Sequence, residues 1–473
     1  MSGNAVRPAA PDTALDGLAR ALGPGALSTA PEDRARLARD RSGRAPDGLP
    51  LAVVRAGGVG DVVATVRWAG AHRVPLVPRG AGTGLAGGAT ADAGSVVLDL
   101  GGMDRVLAIR PEDGLAEVEP GVVTAELDRA ARASGLRYAP DPASAASSTI
   151  GGNIATNAGG LHCVKYGVTR DAVLGLDLVL ADGSRLRTGR RTVKGVAGYD
   201  LTSLFTGSEG TLGIVVGATL RLHPLPTATG TAAAYFATPQ AAADACAAVL
   251  DAGLRPSVLE FLDAATLAAI AAANAATAAN AANGATTATE APAGGESFVL
   301  AGTDGFAARE EIEAVRAVLA RTATRAEATA EPAAAERLLA VRRAALPAIE
   351  RLGEVLIEDI AVPRSRLAEA AGALTALAER TGVPVFTFAH AGEGNIHPIV
   401  LAGGQDPGAV RETVDEIFRL ALRLGGTITG EHGVGTLKLP WLDAELGPET
   451  RNVQLRIKAA LDPLGILNPG KAV

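Results

Sequence analysis

Cysteine is nearly absent from this chain of 473 residues: only Cys163 and Cys246 occur. Two thiols cannot make a disulfide framework. An iron–sulfur cluster normally takes four thiolates, so any such centre has to sit on a partner. Aromatics are scarce as well, at 3%, and cores must be filled with Ala, Val and Leu. The formal net charge is −7, from 44 basic and 51 acidic residues. It contains no basic block or basic–aromatic stripe, which argues against a nucleic-acid partner. The apolar runs are too short and too broken to span a bilayer. The N-terminal M-S-G-N-A-V-R-P has no signal-peptide core. A cytoplasmic protein is expected, with peripheral attachment to the inner face of a membrane left open.

Length alone suggests about two or three domains. Strands are expected at Leu51–Arg55, Pro75–Pro78, Ser95–Leu100, Val173–Leu180 and Thr211–Leu222. Asp61 is expected to cap a helix with Val62, Val66 and Ala69 on one face. Thr124–Ala133 reads as a helix stopped by Gly135. A first domain closes near Pro224–Pro226. Beyond it, Val258–Leu262 and Phe298–Ala301 read as strands, and Arg309–Ala320, Arg366–Arg380 and Ala409–Leu424 as amphipathic helices. The strand Val383–Phe388 runs straight into His390. Between these lies Ala264–Gly295, dominated by Ala, Thr and Asn. Its first part suits a helix, and Asn274–Gly294 reads as a disordered low-complexity insertion. A last helix is expected around Glu449–Leu461.

Three runs of small residues stand out. R-G-A-G-T-G-L-A-G-G, Arg79 to Gly88, contains a G-x-G-x-x-G at Gly82, Gly84 and Gly87. A Rossmann fingerprint has to open a helix. This one leads instead into the strand at Val96–Leu100, so a strand–loop–strand hairpin is expected. Its bare amides could wrap a diphosphate as a nest; the plain alternative is a turn with no ligand. The other runs are Ser147–Gly160 and Gly207–Val215, both poor at packing a core and rich in polar donors.

Of the 6 histidines, three fall in two glycine-bracketed patches: H-A-G-E-G-N-I-H, His390 to His397, and the dipeptide Glu431-His432. His390, His397 and Glu431 form a plausible ligand set for a divalent metal with an open position. Zinc, manganese and iron(II) all suit such a set. His432 is then free to move a proton. Buried structural histidines are the plain alternative, although two of them flanking G-E-G-N after a strand fit that poorly. An enzyme is expected.

Taken together, P-R-G-A-G-T-G-L, G-G-N-I-A-T-N-A-G-G, K-G-V-A-G-Y-D-L, S-E-G-T-L-G-I-V, H-A-G-E-G-N-I-H, G-E-H-G-V-G and L-N-P-G-K run from Pro78 to Lys471. In this set the chain resembles the FAD-linked oxidase and dehydrogenase family of the vanillyl-alcohol-oxidase fold. The branch it resembles most contains glycolate oxidase FAD subunits and flavin-dependent D-lactate dehydrogenases. D-2-hydroxyglutarate dehydrogenases are more distant. The resemblance implies an α+β fold with a two-subdomain FAD-binding domain (1–225). A cap domain (226–425) follows, with an insertion near 264–295, and a C-terminal segment (426–473) returns to the first domain. It places the diphosphate on Pro78, Arg79, Gly80, Ala81, Gly82, Thr83 and Gly84. Ser147, Gly151, Gly152, Asn153, Thr156 and Asn157 would line the ribityl and flavin region. Glu209, Gly213 and Ile214 would hold the adenosine side, and Asn468 would come back near the ring. Some relatives link the flavin to a histidine in the glycine loop; none occurs in Arg79–Gly88, so non-covalent FAD is expected. His72 is expected on a helix surface.

The implied reaction is oxidation of a small D-2-hydroxy acid, with the hydride passing to flavin N5. The metal would lower the pKa of the hydroxyl, His432 would act as base, and Asn395 would hydrogen-bond substrate. Arg342, with Arg343 as the neighbouring alternative, would clamp the carboxylate. Where D-2-hydroxyglutarate dehydrogenases carry threonine and lysine, Leu346 and Leu356–Glu358 stand here, which favours glycolate or D-lactate. Electrons would leave to a quinone, a cytochrome, an electron-transfer flavoprotein or an iron–sulfur partner subunit, and a homodimer is compatible. A zinc hydrolase using the same His/His/Glu set, and a non-catalytic FAD subunit, are the competing readings.

Overall fold

After a helix at Asp12–Ala21, short strands, most of them nearly wholly buried, build the first sheet. Strands β1 (Leu27–Ser28), β2 (Ala52–Arg55), β3 (Leu76–Arg79) and β4 (Val96–Asp99) form a sheet in the order β1-β2-β4-β3. The computed structural model describes residues 12–192, 194–280 and 295–473. These divide into two units: Met1–Gly160, Gly167–Leu225 and Glu431–Val473 form the first, and Leu161–Tyr166 with Pro226–Gly430 the second.

In the first unit, β2 and β3 each pair with β4 in parallel. Such strands are covered on both faces and read as unbroken apolar runs. Helix α1 (Val59–His72) connects β2 to β3 and buries Val62, Val66 and Ala69. Asp61 does not cap it. Gly58 is the N-cap, and Asp61 Oδ2 instead accepts from the Gly57 backbone N–H at 2.8 Å. His72 is exposed in the last turn, as expected, and stacks on Trp68. The expected hairpin around the glycine loop is corrected. Because β3 and β4 are parallel, residues 80–95 carry the chain back along the sheet without a helix. The sequence signals a turn but not the direction in which the next strand runs, and a loop of this length serves either.

A second sheet, antiparallel, is built from β5 (Val106–Arg110), β6 (Leu115–Val118), β7 (Val173–Val179), β8 (Arg185–Gly189) and β9 (Ile214–Arg221), in the order β5-β6-β9-β7-β8. Helices α2 (Thr124–Arg132) and α3 (Ile150–Thr156) supply Leu127, Ala131, Ile150 and Ile154 to the core it shares. At its far end the chain comes back to the first sheet: Leu76 N–H donates to Ile466 O and Asn468 N–H to Leu76 O.

The second unit is one eight-stranded antiparallel sheet. Its strands are β10 (Thr229–Phe236), β11 (Val258–Leu262), β12 (Ser297–Asp304), β13 (Arg325–Thr329), β14 (Val355–Ile357), β15 (Ile360–Ala361), β16 (Val385–His390) and β17 (Asn395–Leu401). The order is β13-β10-β12-β11-β16-β17-β14, with β15 also on β17. Helices α4 (Ala264–Asn280) and α5 (Pro332–Glu350) pack Leu267, Ile270, Val341, Ala345 and Ile349 on one apolar cluster with Phe298, Phe386 and Phe388. Helix α4 continues through Asn280, so residues 274–280 are helical where a disordered insertion was expected. Alanine is the strongest helix former, and the anchored Leu267–Ile270 turn propagates through it. Residues 281–294 of that insertion lie outside the described residues. Helix α6 (Leu439–Leu461), in the first unit, consists of two helical stretches, and the second, from Pro448, matches the helix expected around Glu449–Leu461. The break is at Gly447 (φ 72°, ψ 164°), directly before Pro448. Among the described residues no helix is long and apolar enough to cross a membrane.

Candidate active site

The second unit gathers its chemistry on one face of its sheet. His390 pairs with Asn395 across the β16–β17 hairpin, Phe388 with His397, and Glu260 of β11 with His390. Opposed residues in antiparallel strands share a face, and so do alternate residues along a strand. Glu260, Phe388, His390, Asn395 and His397 therefore point the same way. The turn joining β16 and β17 needs Gly394, which has φ 80° and where a Cβ would overlap Val362 O. The two imidazoles are buried and meet edge to face, with centroids 5.1 Å apart.

Around them sit two carboxylates that sequence reasoning passed over. Glu260 Oε1 lies 2.7 Å from His390 Nδ1, and Oε2 accepts from Arg342 Nε at 2.7 Å. Burial pushes the Glu260 carboxyl up, but the charges of His390 and Arg342 and their hydrogen bonds outweigh it and hold it below its ordinary value. Asp359 Oδ1 accepts from Asn395 Nδ2 at 2.6 Å and lies 3.8 Å from His397 Nδ1, too far for a hydrogen bond. Its Oδ2 accepts from Thr429 Oγ1 at 2.8 Å. Asn395 Nδ2 also donates to Ile360 O at 2.9 Å, so this amide nitrogen is engaged within the unit. The signal for both acids was present as charge inside an apolar run, one acid in V-L-E-F-L and an adjacent pair in L-I-E-D-I.

The arginine pair separates cleanly. Arg342 lies over the Phe388 ring, 4.4 Å from its centroid, with 13% of its side chain exposed. Arg343 is 54% exposed and pairs with Glu336. Only Arg342 reaches the histidine face. Glu393 is half-buried in the turn, its N–H donating to His390 O. The chain leaves this unit at Gly430, so close to Asn395 that a Cβ would overlap Nδ2. Glu431 and His432 are the next two residues and belong to the first unit. There the Glu431 carboxylate lies where a Cβ on Gly159 would be. His390 and His397 fit a divalent cation: both are buried, and a carboxylate on His390 Nδ1 leaves Nε2 to ligate.

In the first unit the glycine loop is a cradle assembled from distant segments. Arg79 folds back under it, where a Cβ on Gly82 (φ 74°) would overlap the guanidinium, and Nη1 donates to Arg39 O at 2.7 Å. Burial pulls the Arg79 pKa down. Gly80 packs on Thr149, which caps α3 by accepting from Gly152 N–H. Gly435 (φ 53°) lies against Ala86 O, closely enough that no side chain fits. Glu209 accepts from Val434 N–H at 2.7 Å and Gly435 N–H at 2.9 Å; burial raises its carboxyl to about 7. Asn468 Nδ2 donates to Gly88 O and Glu209 O. Three buried polar atoms around this cradle, Arg79 Nε, Thr436 Oγ1 and Asn468 Oδ1, have no hydrogen-bond partner among the described residues. Buried polar atoms are normally paired, so the cradle fits a large polar ligand.

The remaining candidates mostly have internal partners. Asn153 Nδ2 donates to Thr124 Oγ1, and Thr156 Oγ1 to Gly152 O. Asn157 ends α3 at φ 53° and accepts from Arg170 N–H. Gly151 lies on Pro120, Gly213 beside Phe205, and Pro78 against Gly210. Ile214 is buried, Ser147 and Ala81 are exposed, and Thr83 and Gly84 are half-buried. Tyr199 is 95% exposed within its unit.

With this geometry in view, the similarities to known proteins are informative. Residues 225–472 match the family of FAD linked oxidases, C-terminal domain, and residues 50–189 match an FAD binding domain. The glycolate oxidase subunit GlcD of Bacillus subtilis is 41% identical over 432 residues, covering 89% of each chain. A D-lactate dehydrogenase of Archaeoglobus fulgidus is 35% identical, covering 89% of this chain and 91% of that one. The mitochondrial D-lactate dehydrogenase [cytochrome] of Arabidopsis thaliana is 36% identical, over 85% of this chain and 70% of its own. Among solved structures, p-cresol methylhydroxylase with substrate bound superposes with a TM-score of 0.79 at 19% identity, covering 97% of this chain and 96% of its own. The 4-ethylphenol oxidase of Gulosibacter chungangensis gives 0.76 at 20%, with the same coverage. The fold is thus the α+β vanillyl-alcohol-oxidase type, and the protein is an FAD-binding oxidoreductase. This chain belongs to the FAD-linked oxidase family.

Proposed function

We propose that the chain oxidises a small D-2-hydroxy acid, glycolate or D-lactate, to the 2-oxo acid, at a divalent metal held by His390, His397 and Glu431. Non-covalently bound FAD would supply the hydride acceptor, and a cation held by these three residues would supply Lewis acidity toward the hydroxyl. Arg342 grips the carboxylate end-on through its two terminal nitrogens, because Nε is already given to Glu260. His432 takes the hydroxyl proton. Phe388 and the rest of the sheet face keep water away from the charged groups. The observation that carries this reading is the Glu260 bridge, which joins a metal-competent histidine to Arg342 on the same face.

The substrate class is supported by relatives named for glycolate and D-lactate. A small acid is favoured because Leu346 and Ile357 pack into the apolar core and offer a second carboxylate no charge. A metal hydrolase with purely structural glycine runs loses its support, since the FAD binding domain covers the glycine loop and the Ser147–Gly160 run. Electrons leave to a quinone, cytochrome, electron-transfer flavoprotein or iron–sulfur subunit. Anaerobic mixing with D- and L-2-hydroxy acids tests the reading through bleaching of the flavin. D-lactate or glycolate should bleach it fastest, and His432→Ala should stay yellow and fail to bleach. A strong preference for D-2-hydroxyglutarate, or undiminished bleaching by His432→Ala, overturns the assignment.

A further inference from the structure

A charge in the middle of an apolar strand is costly unless its partners are in place. Glu260 is fully buried between Leu259 and Phe261. Its two oxygens serve different groups: Oε1 meets His390 Nδ1 and Oε2 meets Arg342 Nε, each at 2.7 Å. A carboxylate only accepts, so the first bond keeps a proton on Nδ1 and leaves Nε2 as the ligating nitrogen. The second bond, with Phe388 under the guanidinium, sets the plane in which Arg342 presents its terminal nitrogens.

We propose that Glu260 is a positioning residue for both arms of the site at once. It holds His390 as a metal ligand and Arg342 as the carboxylate clamp in a single register, so cation binding and hydroxy-acid binding depend on one side chain. This rests on the function proposed above. Glu260→Gln exposes the logic, since an amide has one accepting end and one donating end. With its oxygen toward Arg342, the amide NH2 meets His390 Nδ1 and drives the proton to Nε2, which then cannot ligate. With its oxygen toward His390, NH2 faces the Arg342 Nε–H, donor against donor, and the clamp turns away. One arm fails in either orientation.

The test uses the FAD-loaded protein, manganese alone as the metal probe in competition with a chelator, and flavin bleaching by D-lactate. In Glu260→Gln, manganese affinity should fall about 10–100-fold, or the KM for D-lactate at saturating manganese should rise by a similar factor. The limiting bleaching rate should change much less, and the flavin should remain bound. Glu260→Asp, too short to reach both partners, should move in the same direction. A folded Gln variant with unchanged manganese affinity and KM overturns the inference and leaves the proposed function standing. Fast bleaching of metal-stripped wild type instead sinks the function beneath it, and this inference too. If neither variant folds, imidazole ¹⁵N shifts of the zinc-loaded wild type decide. His390 with Nδ1 protonated and Nε2 on the metal supports the proposal; a bare or metal-bound Nδ1 overturns it.

Discussion

Glu209 and Gly435, 226 residues apart in sequence, are joined by a hydrogen bond from the Gly435 N–H to a buried carboxylate. The same carboxylate takes the Val434 N–H. It ties the turn after Glu431-His432 to the rim of the glycine loop, and its burial has a thermodynamic consequence.

Burial raises the Glu209 carboxyl from 4.5 to about 7, despite the amides that favour its charged form. The folded chain therefore keeps a proton there that the unfolded chain has lost between those values. Stability linked to this proton is full at acidic pH and disappears as pH rises through about 7. Its size is on the order of 3 kcal/mol. Unfolding midpoints of wild type and Glu209→Gln at pH 5 and pH 8 check this. The variant should gain on the wild type as pH rises, and an unchanging difference would contradict the assignment.

The glycine cradle tolerates no side chain at Gly435, where φ is 53° and Ala86 O occupies the Cβ position. Gly435→Ala is expected to cost about 1–3 kcal/mol in strain and to open the loop. Absorbance after gel filtration should show a paler protein than wild type. Full retention of the yellow colour would mean that the cradle does not hold the cofactor.

Lys165 Nζ donates to Asp304 O and Oδ1, and Tyr166 OH donates to Asp304 Oδ2 at 2.8 Å. These bonds attach Leu161–Tyr166 to the second unit. Asp304→Ala should lower stability by about 1–3 kcal/mol and speed tryptic cleavage at Lys165. An unchanged digestion pattern would show that the segment is held by other contacts.

Arg342 and Arg343 are adjacent in sequence but differ in environment. Arg342→Lys should raise the KM for D-lactate about 10–100-fold, because a point charge cannot reproduce a planar fork that also serves Glu260. Arg343→Lys should leave it unchanged. Equal effects in steady-state assays would remove the distinction.

Much of this site could be read directly from the sequence, for physical reasons. Runs such as Arg79–Gly88 are conspicuous because glycine is costly unless backbone must approach backbone, as it does at Gly435 and Ala86. His390 and His397 stood out because imidazoles are rare here and glycine brackets them. The parallel pairing of β3 and β4 was hidden because a residue pattern encodes a strand but not its direction. Helix α5, which carries Arg342, was missed because its Ala-rich sequence has a weak apolar face and a proline at Pro347. Glu260, a single acid in an apolar strand, and Asp359, in the short link between β14 and β15, were missed because each gains meaning only when the fold delivers His390 or Asn395 beside it.

The central claim is that His390, His397 and Glu431 share one cation on which the chemistry depends. The most direct measurement is anaerobic flavin bleaching by D-lactate in FAD-loaded protein, stripped of metal and then titrated with manganese. The account predicts that bleaching is lost on stripping, returns with one equivalent of metal, and does not return in His390→Ala or Glu431→Ala. Rapid bleaching in the stripped, still-yellow protein would contradict it.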